Sequence, residues 1–246
     1  MWKSVKGIIG WANTGPPTKI FHEGKFVNSP SGLASTLNSF FVNKLKRLQS
    51  AIPQVDTDPV AKLRDSMRNR KCTFQLKLVT EEDVLKIINS LNNSSSTGVD
   101  FIDAATLKLV KNPIVTAMAR IINLSIETSV FPASYKHSQI IPLKKKPSLS
   151  DLDCASYRPV NLLPIPGKVL EKAIFNQLVL YLEENKLLHP NHHGGRKVHS
   201  TTTALVQMYN TWIEEMEEGK LVGVMLIDQS AAFDLCDHKL LVEKIN

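Results

Sequence analysis

A carboxylate at the end of an apolar run is the residue in this sequence best placed for chemistry. Asp228 directly follows the apolar stretch 221–227, and small residues occupy positions 230–232. Magnesium in proteins prefers hard oxygen ligands and is usually held by one or two carboxylates together with substrate phosphates. Asp228 is therefore a candidate metal ligand. The structural alternative for an aspartate directly after a strand is a helix N-cap or a turn residue.

Phe233 and two further aspartates follow Asp228 closely. An aromatic ring near an apolar strand usually packs in the core, so core packing is the simplest expectation for Phe233. Asp234 could pair with Asp228 around a single metal ion. Asp237 is better explained as the N-cap of a helix that begins near it.

Basic residues are grouped at three places where an anion could bind. Lys144–Lys146, which include Lys145, follow a predicted strand, Arg158 precedes a long predicted helix, and Arg196, Lys197 and His199 lead into another helix. Backbone N–H groups and the helix dipole favour phosphate at such points. The structural alternative for each group is a solvated loop.

The charge distribution favours a polyanionic partner. The 246 residues include 30 Lys/Arg and 23 Asp/Glu. Residues 1–72 hold twelve basic and four acidic side chains, and residues 136–172 hold seven and three. Each Lys or Arg placed on a phosphate releases counterions and adds salt-sensitive affinity, so these two basic segments suit a nucleic acid. A merely solvated basic surface is the alternative.

Composition excludes several classes of protein. A chain with 43% hydrophobic and 22% charged residues is neither collagen-like nor disordered. No stretch approaches the roughly 18 apolar residues of a membrane helix, and the N-terminus lacks the pattern of a signal peptide. We therefore expect an intracellular protein, cytoplasmic or nuclear and not secreted, with no membrane partner. The spacing of the three cysteines, and of the histidines near Pro190, predicts neither disulfides nor a zinc site.

Hydrophobic periodicity predicts many helices and few strands. Thr80 and Asp83 form a capping-box pattern at the start of one helix. A short strand is expected at 139–143, and the stretch 221–227 has the length and composition of a buried central strand. Helices are expected at about 33–45, 80–91, 104–111, 114–129, 168–187 and 201–218, and from Asp237 onward. This order of elements predicts an α+β fold.

Four segments in succession resemble the reverse transcriptases of non-LTR (LINE-like) retrotransposons. They are IIPLKKK at 140–146, YRPVNLLPIPGKVLEK at 157–172, HHGGRKVHSTTTAL at 192–205 and LIDQSAAFD at 226–234. Further upstream, Thr97-Gly98-Val99-Asp100 resembles the start of the family's polymerase domain, and Phe40-Phe41 the linker helix before it. The resemblance implies that 78–246 is a partial reverse transcriptase domain, the fingers and start of the palm of a right-hand polymerase. Residues 1–77, which contain loop-forming prolines and glycines, would be a basic linker region.

The resemblance also implies roles for individual residues. Asp228 would be the catalytic carboxylate of the first palm motif and would bind Mg²⁺ in a two-metal nucleotidyl transfer. Phe233 would be the steric gate that favours deoxynucleotides, and Arg196 would contact the triphosphate of the incoming dNTP. Lys145 and Arg158 would touch the template or the triphosphate. The implied partners are an RNA template, a DNA primer and dNTP.

The sequence departs from the family pattern in three respects. Residues 194–200 read GGRKVHS where the family usually has GFRKGRS, and residues 230–234 read SAAFD where it usually has SKAFD. The aromatic-Ala-Asp-Asp turn of the second palm motif does not occur in the sequence. We therefore expect a fragment of an RNA-directed DNA polymerase, truncated before that motif and inactive alone. The alternatives are a non-catalytic nucleic-acid-binding remnant and a product that does not fold stably.

Overall fold

The computed structural model describes residues 15–52, 58, 60–61, 65, 73–93, 97–229 and 231–245. Short 3₁₀ turns occupy Ala133–Lys136 and Cys154–Ser156. The regular elements are β1 (Ile20–His22), β2 (Lys25–Val27), α1 (Pro30–Ser50), α2 (Glu81–Ser90), α3 (Ala104–Leu109), α4 (Lys111–Thr128), β3 (Gln139–Lys144), β4 (Tyr157–Leu162), α5 (Ile165–Glu184), α6 (Thr201–Glu217) and α7 (His238–Ile245). The described part is helix-rich with few strands, which confirms the α+β class.

The predicted helices are present, and most of their boundaries differ from the expected ones by only a few residues. Both α4 and α5 begin three residues earlier than expected, at Lys111 and Ile165. Each therefore contains a proline, Pro113 or Pro166, in its first turn. Proline is tolerated there because the first N–H groups of a helix have no intrahelical partner. None of the described helices is long and apolar enough to span a membrane.

A main core lies between α2, α4 and α5. The first half of α5 contributes Ile165, Val169 and Leu170, all fully buried. Val84 and Ile88 of α2 and Ile122 of α4 meet them. Burial of each such side chain stabilises the folded chain by about 1.5–3 kcal/mol. This core therefore holds the three helices together.

Two amide side chains hold the extended residues before α2 in place. Asn123 of α4 donates to the carbonyl of Val79 at 3.0 Å and accepts from its N–H at 2.8 Å. Gln177 of α5 makes the same pair of bonds to Lys77, at 3.0 and 2.8 Å. Each side-chain amide thus bonds both the N–H and the C=O of one residue, as the backbone of a neighbouring strand would. The backbone hydrogen bonds of Lys77 and Val79 are satisfied in this way. The segment is anchored to both helices without a sheet.

The capping box predicted at Thr80 is confirmed. The Thr80 hydroxyl accepts from the Asp83 N–H at 3.2 Å, and the Asp83 carboxylate accepts from the Thr80 N–H at 3.0 Å. The bond from the Thr80 N–H, together with one from the Thr80 hydroxyl at 2.7 Å, lowers the pKa of the Asp83 carboxyl. Its contribution to stability is therefore complete above the ordinary carboxyl pKa of about 3.9 and is lost as the pH falls through the lowered value.

A second core joins the first described residues to the middle of the chain. We call it the N-terminal core, formed by Ile20, Leu33, Leu37, Phe41, Cys154 and Tyr157. The β1–β2 hairpin in it was not predicted. Its two-residue turn, Glu23-Gly24, has φ values of 51° and 77°, as a tight hairpin turn with two left-handed residues requires. Glycine at the second position was the available signal.

The strand predicted at 139–143 is confirmed as β3, whereas its partner β4 was not predicted. The two strands pair antiparallel, with Pro142 opposite Pro159. Proline lacks the N–H needed in the middle of a sheet. In a two-stranded sheet every strand is an edge strand, so prolines are tolerated in both.

The prediction of a buried central strand at 221–227 was also wrong. This segment has no regular structure, and Leu221, Met225 and Leu226 are almost fully exposed. A strand needs a neighbour to pair its backbone N–H and C=O groups. No described strand lies beside this segment, so its backbone has no ladder to join and its apolar side chains have no face to pack against.

Gly98 lies against the junction between β4 and α5. A Cβ atom at this position would lie 2.5 Å from the Pro164 nitrogen and 2.7 Å from the Leu163 carbonyl carbon. Both are backbone atoms, which cannot rotate away. The glycine thus permits the loop before α3 to approach the start of α5.

We predict that Gly98→Ala lowers the free energy of unfolding by about 1–3 kcal/mol, because the added methyl group overpacks this junction. Chemical denaturation followed by circular dichroism measures the change. Gly223→Ala is the matched control, since a Cβ there meets nothing within 4 Å. Equal stability of the two variants would show that the junction relaxes without cost.

Candidate nucleic-acid interface

Three cations from three elements form a basic cluster, which we define as Lys44, Lys145 and Arg158. Lys44 lies on α1, Lys145 directly after β3, and Arg158 within β4. Burial lowers the pKa of Lys145, and the positive charges of Lys44 and Arg158 lower it further, against a smaller opposing effect of Asp153. Like charges thus gather at one place on the surface.

Buried neighbours in the N-terminal core position this cluster. Phe41 is buried one turn before Lys44, and Tyr157 is buried directly before Arg158. The Lys145 ammonium donates to the carbonyl of Ala155 at 2.6 Å, and its backbone N–H donates to the carbonyl of Ser156 at 2.9 Å. Packing of these neighbours thus fixes the backbone that carries each of the three charges.

The adjacent Lys144 has a different role from Lys145. Its side chain is only 6% exposed and forms an ion pair with Asp151 at 2.6 Å. The Tyr157 hydroxyl donates to the Asp151 carbonyl at 2.9 Å and fixes the same loop. Lys144 is therefore a structural cation, while Lys145 belongs to the basic cluster.

Arg196 is held by a carboxylate of α5. Its Nε and Nη2 donate to the two carboxylate oxygens of Glu183 at 2.9 and 2.7 Å. Its Nη1 donates to the carbonyls of His189 and His192 at 3.4 and 3.3 Å. Arg196 lowers the pKa of Glu183, chiefly through the side-chain hydrogen bond. The guanidinium thus closes the loop between α5 and α6. To contact a triphosphate, it would have to give up one of these hydrogen-bond partners.

His193 ties the same loop to α6. Its Nδ1 lies 2.9 Å from the Thr203 hydroxyl and its Nε2 2.7 Å from the Gln207 amide oxygen. Gln207 in turn donates to the side chain of Asn191 at 3.0 Å. The histidine is therefore a hydrogen-bonding member of the loop.

Asp228 and Phe233 lie on the exposed segment after α6. The Phe233 side chain is 96% exposed, so the expectation that it packs in the core was wrong. Asp228 is exposed too and follows irregular backbone instead of a strand. The described residues contain no group of three or more His, Cys, Asp or Glu side chains that could hold a metal ion.

Among the predicted site residues, the structure brings only Lys145 and Arg158 together. In the described part of the chain, no hydrogen bond or ion pair joins Arg196, Asp228 or Phe233 to them. Sequence reasoning missed Lys44 as a third member, because it assigned that lysine to the C-terminal end of a helix. Its spacing of seven residues from Leu37 and three from Phe41, which places it on the buried face of α1, was the available signal.

No protein-family model matches the chain. Individual proteins do match it. The chain is 30% identical over 175 residues to the RNA-directed DNA polymerase from mobile element jockey of Drosophila funebris, a match that covers 70% of the chain and 19% of the relative. Its counterpart in Drosophila melanogaster is 31% identical over 172 residues, with the same coverage. A probable RNA-directed DNA polymerase from transposon BS of Drosophila melanogaster is 26% identical over 206 residues, 83% of the chain and 23% of the relative.

The chain is thus similar to part of the RNA-directed DNA polymerases of non-LTR retrotransposons. It spans about one fifth of the length of these relatives. The resemblance identified from the sequence is thereby confirmed. The basic cluster and the Arg196 loop are two charged arrangements in the described part of the chain.

We predict that Glu183→Gln accelerates backbone hydrogen exchange severalfold in residues 189–199, because Arg196 loses its charged partner. Hydrogen exchange followed by mass spectrometry measures the change. In the wild type the same protection is present at neutral pH and is lost in acid as the pH falls through the lowered pKa of Glu183.

Glu184→Gln is the control for this variant, because the neighbouring Glu184 is exposed on the same helix turn. Equal exchange in the two variants would show that the ion pair does not hold the loop.

Proposed function

We propose that the chain forms the fingers and the start of the palm of a right-hand polymerase that copies RNA into DNA for a non-LTR retrotransposon. The observation that carries this proposal is the basic cluster, taken with the names of the relatives. In the proposed arrangement residues 78–246 are the partial reverse transcriptase domain, and residues 1–77 are the basic region before it. Nucleic acid, as RNA template and DNA primer, is the proposed partner.

The physical basis is that the cluster is poorly neutralised in the free chain. Burial and two neighbouring cations disfavour the charged form of Lys145. A phosphate group placed among Lys44, Lys145 and Arg158 would replace this repulsion with attraction and release counterions. The guanidinium of Arg158 can also bind phosphate oxygens bidentately. We propose that the cluster binds backbone phosphates of the template, which position a strand without reading its sequence.

The remaining site residues keep their proposed roles within the whole polymerase. Arg196 would exchange Glu183 for the triphosphate of an incoming dNTP, and Phe233 would exclude a ribose 2′-hydroxyl. Asp228 would supply one carboxylate for Mg²⁺, which stabilises the charge that develops in nucleotidyl transfer. The described residues do not complete such a site, so we derive no catalytic step for the chain alone.

A binding assay tests the proposed interface. We expect Lys44→Ala and Arg158→Ala each to weaken RNA binding and to reduce the slope of log affinity against log salt concentration by about 1. Fluorescence anisotropy of a labelled RNA at several salt concentrations measures both quantities. Lys220→Ala is the control, because Lys220 is already paired with Glu215 at 2.7 Å and Glu218 at 2.6 Å. Salt slopes that the cluster variants leave unchanged would contradict the proposal.

A polymerase assay tests the behaviour of the chain alone. We expect purified 1–246 to incorporate no dNTP on a primed RNA template with Mg²⁺, because Asp228 and Phe233 are exposed on irregular backbone. RNA binding that Asp228→Ala leaves unchanged would then identify the chain by itself as a non-catalytic binding segment. Template-dependent incorporation that Asp228→Ala abolishes would overturn this expectation.

A further inference from the structure

The β1–β2 hairpin carries two exposed aromatic rings that the N-terminal core does not use. Phe21 and Phe26 are opposite each other in the register, with ring centroids 5.0 Å apart. Successive side chains of a strand point to opposite faces. Ile20 is accordingly fully buried, while Phe21 and Phe26 remain 48% and 57% exposed. The pair therefore forms an aromatic surface open to solvent, which we call the aromatic platform.

A lysine and a cleft adjoin the aromatic platform. The Lys19 ammonium lies 3.8 Å from the centroid of the Phe26 ring. The cleft beside the rings has a volume of about 490 Å³ and is lined by Phe21, Phe26, Ser150, Leu152 and Asp153. The Phe21 N–H donates to the Leu152 carbonyl at 2.8 Å, which fixes the hairpin against that side of the cleft. The platform is thus held in place and has free space next to it.

The segment that carries the platform is basic and suits a polyanion, although Asp153 lines the adjoining cleft. Residues 15–52 contain five Lys or Arg side chains and a single acidic residue, Glu23. The N-terminal core positions both surfaces. Its buried Ile20 directly precedes Phe21 of the platform, and its buried Tyr157 directly precedes Arg158 of the basic cluster. Aromatic rings for bases beside cations for phosphates are the combination with which proteins bind single-stranded nucleic acids.

We infer that Phe21 and Phe26 stack on unpaired bases of single-stranded RNA, while Lys19 and Lys25 neutralise the adjoining phosphates. This inference rests on the proposed binding of nucleic acid and adds a second, base-directed site to the phosphate contacts of the basic cluster. Stacking tolerates any base, since each has a π-face. The platform therefore adds affinity for an unpaired strand without selecting its sequence.

The experiment compares an unstructured RNA of about 12 nucleotides with an abasic strand of the same length, which keeps the phosphates and lacks the bases. Fluorescence anisotropy with the full chain measures both affinities. We expect the wild type to prefer the base-containing RNA. Phe26→Leu, which keeps an apolar side chain and loses the ring, should lower affinity for that RNA about tenfold and leave the abasic strand unaffected. Phe26→Tyr should retain the preference.

Phe175→Leu is the matched control for the loss of a ring. Phe175 lies on α5, is 45% exposed and has the Lys172 ammonium 4.3 Å from its ring centroid, so it offers the same chemistry at another place. This variant should bind both strands as the wild type does. If Phe26→Leu lost affinity only because its hairpin did not fold, a tyrosine at position 26 would not restore the preference for base-containing RNA.

The outcomes separate this inference from the proposed function. A preference for base-containing RNA that survives both Phe21→Leu and Phe26→Leu would overturn the platform, while salt-sensitive binding lost in Arg158→Ala would still support the basic cluster. A wild-type chain that binds neither strand would contradict both proposals. In that case the exposed rings would point to a protein partner instead.

Discussion

The first half of α5 is the part of the chain on which the main core depends. Its buried side chains Ile165, Val169 and Leu170 form the centre of the main core, against α2 and α4. The same helix holds the extended segment before α2 through Gln177 and the loop before α6 through Glu183. Apolar burial supplies the larger share of the stabilisation, because a hydrogen bond contributes only about 1 kcal/mol net. The polar contacts then decide which segments lie beside the helix.

The basic cluster follows from the same principle at the N-terminal core. Lys44, Lys145 and Arg158 repel one another, yet each is attached to backbone that apolar neighbours keep in place. Folding free energy thus compensates for the unfavourable proximity of like charges, a common arrangement where a protein binds an anionic ligand. The aromatic rings of the β1–β2 hairpin are exposed for a related reason, since Ile20 occupies the buried face of their strand.

The residues assigned to nucleotide chemistry are organised quite differently. Arg196 is fixed by Glu183 and two carbonyl groups. Asp228 and Phe233, in contrast, follow an exposed apolar segment that pairs with no described strand. Catalytic groups need neighbours that hold them in a working geometry. In the described part of the chain the loop of Arg196 meets this requirement and the segment of Asp228 does not. The two therefore represent different degrees of preorganisation within one chain.

Local pattern in the sequence determined the helices, the capping box at Thr80, the strand β3 and the family, because each depends on residues close together in the chain. Tertiary structure decided the rest. The pairing of β4 with β3, the exposure of 221–227 and the meeting of Lys44 with Lys145 all depend on which distant segment lies alongside. An apolar run records that a segment favours burial, but it does not specify the partner that buries it. Likewise, Arg196 was identifiable as a cation from the sequence, whereas its pairing with Glu183 required the fold.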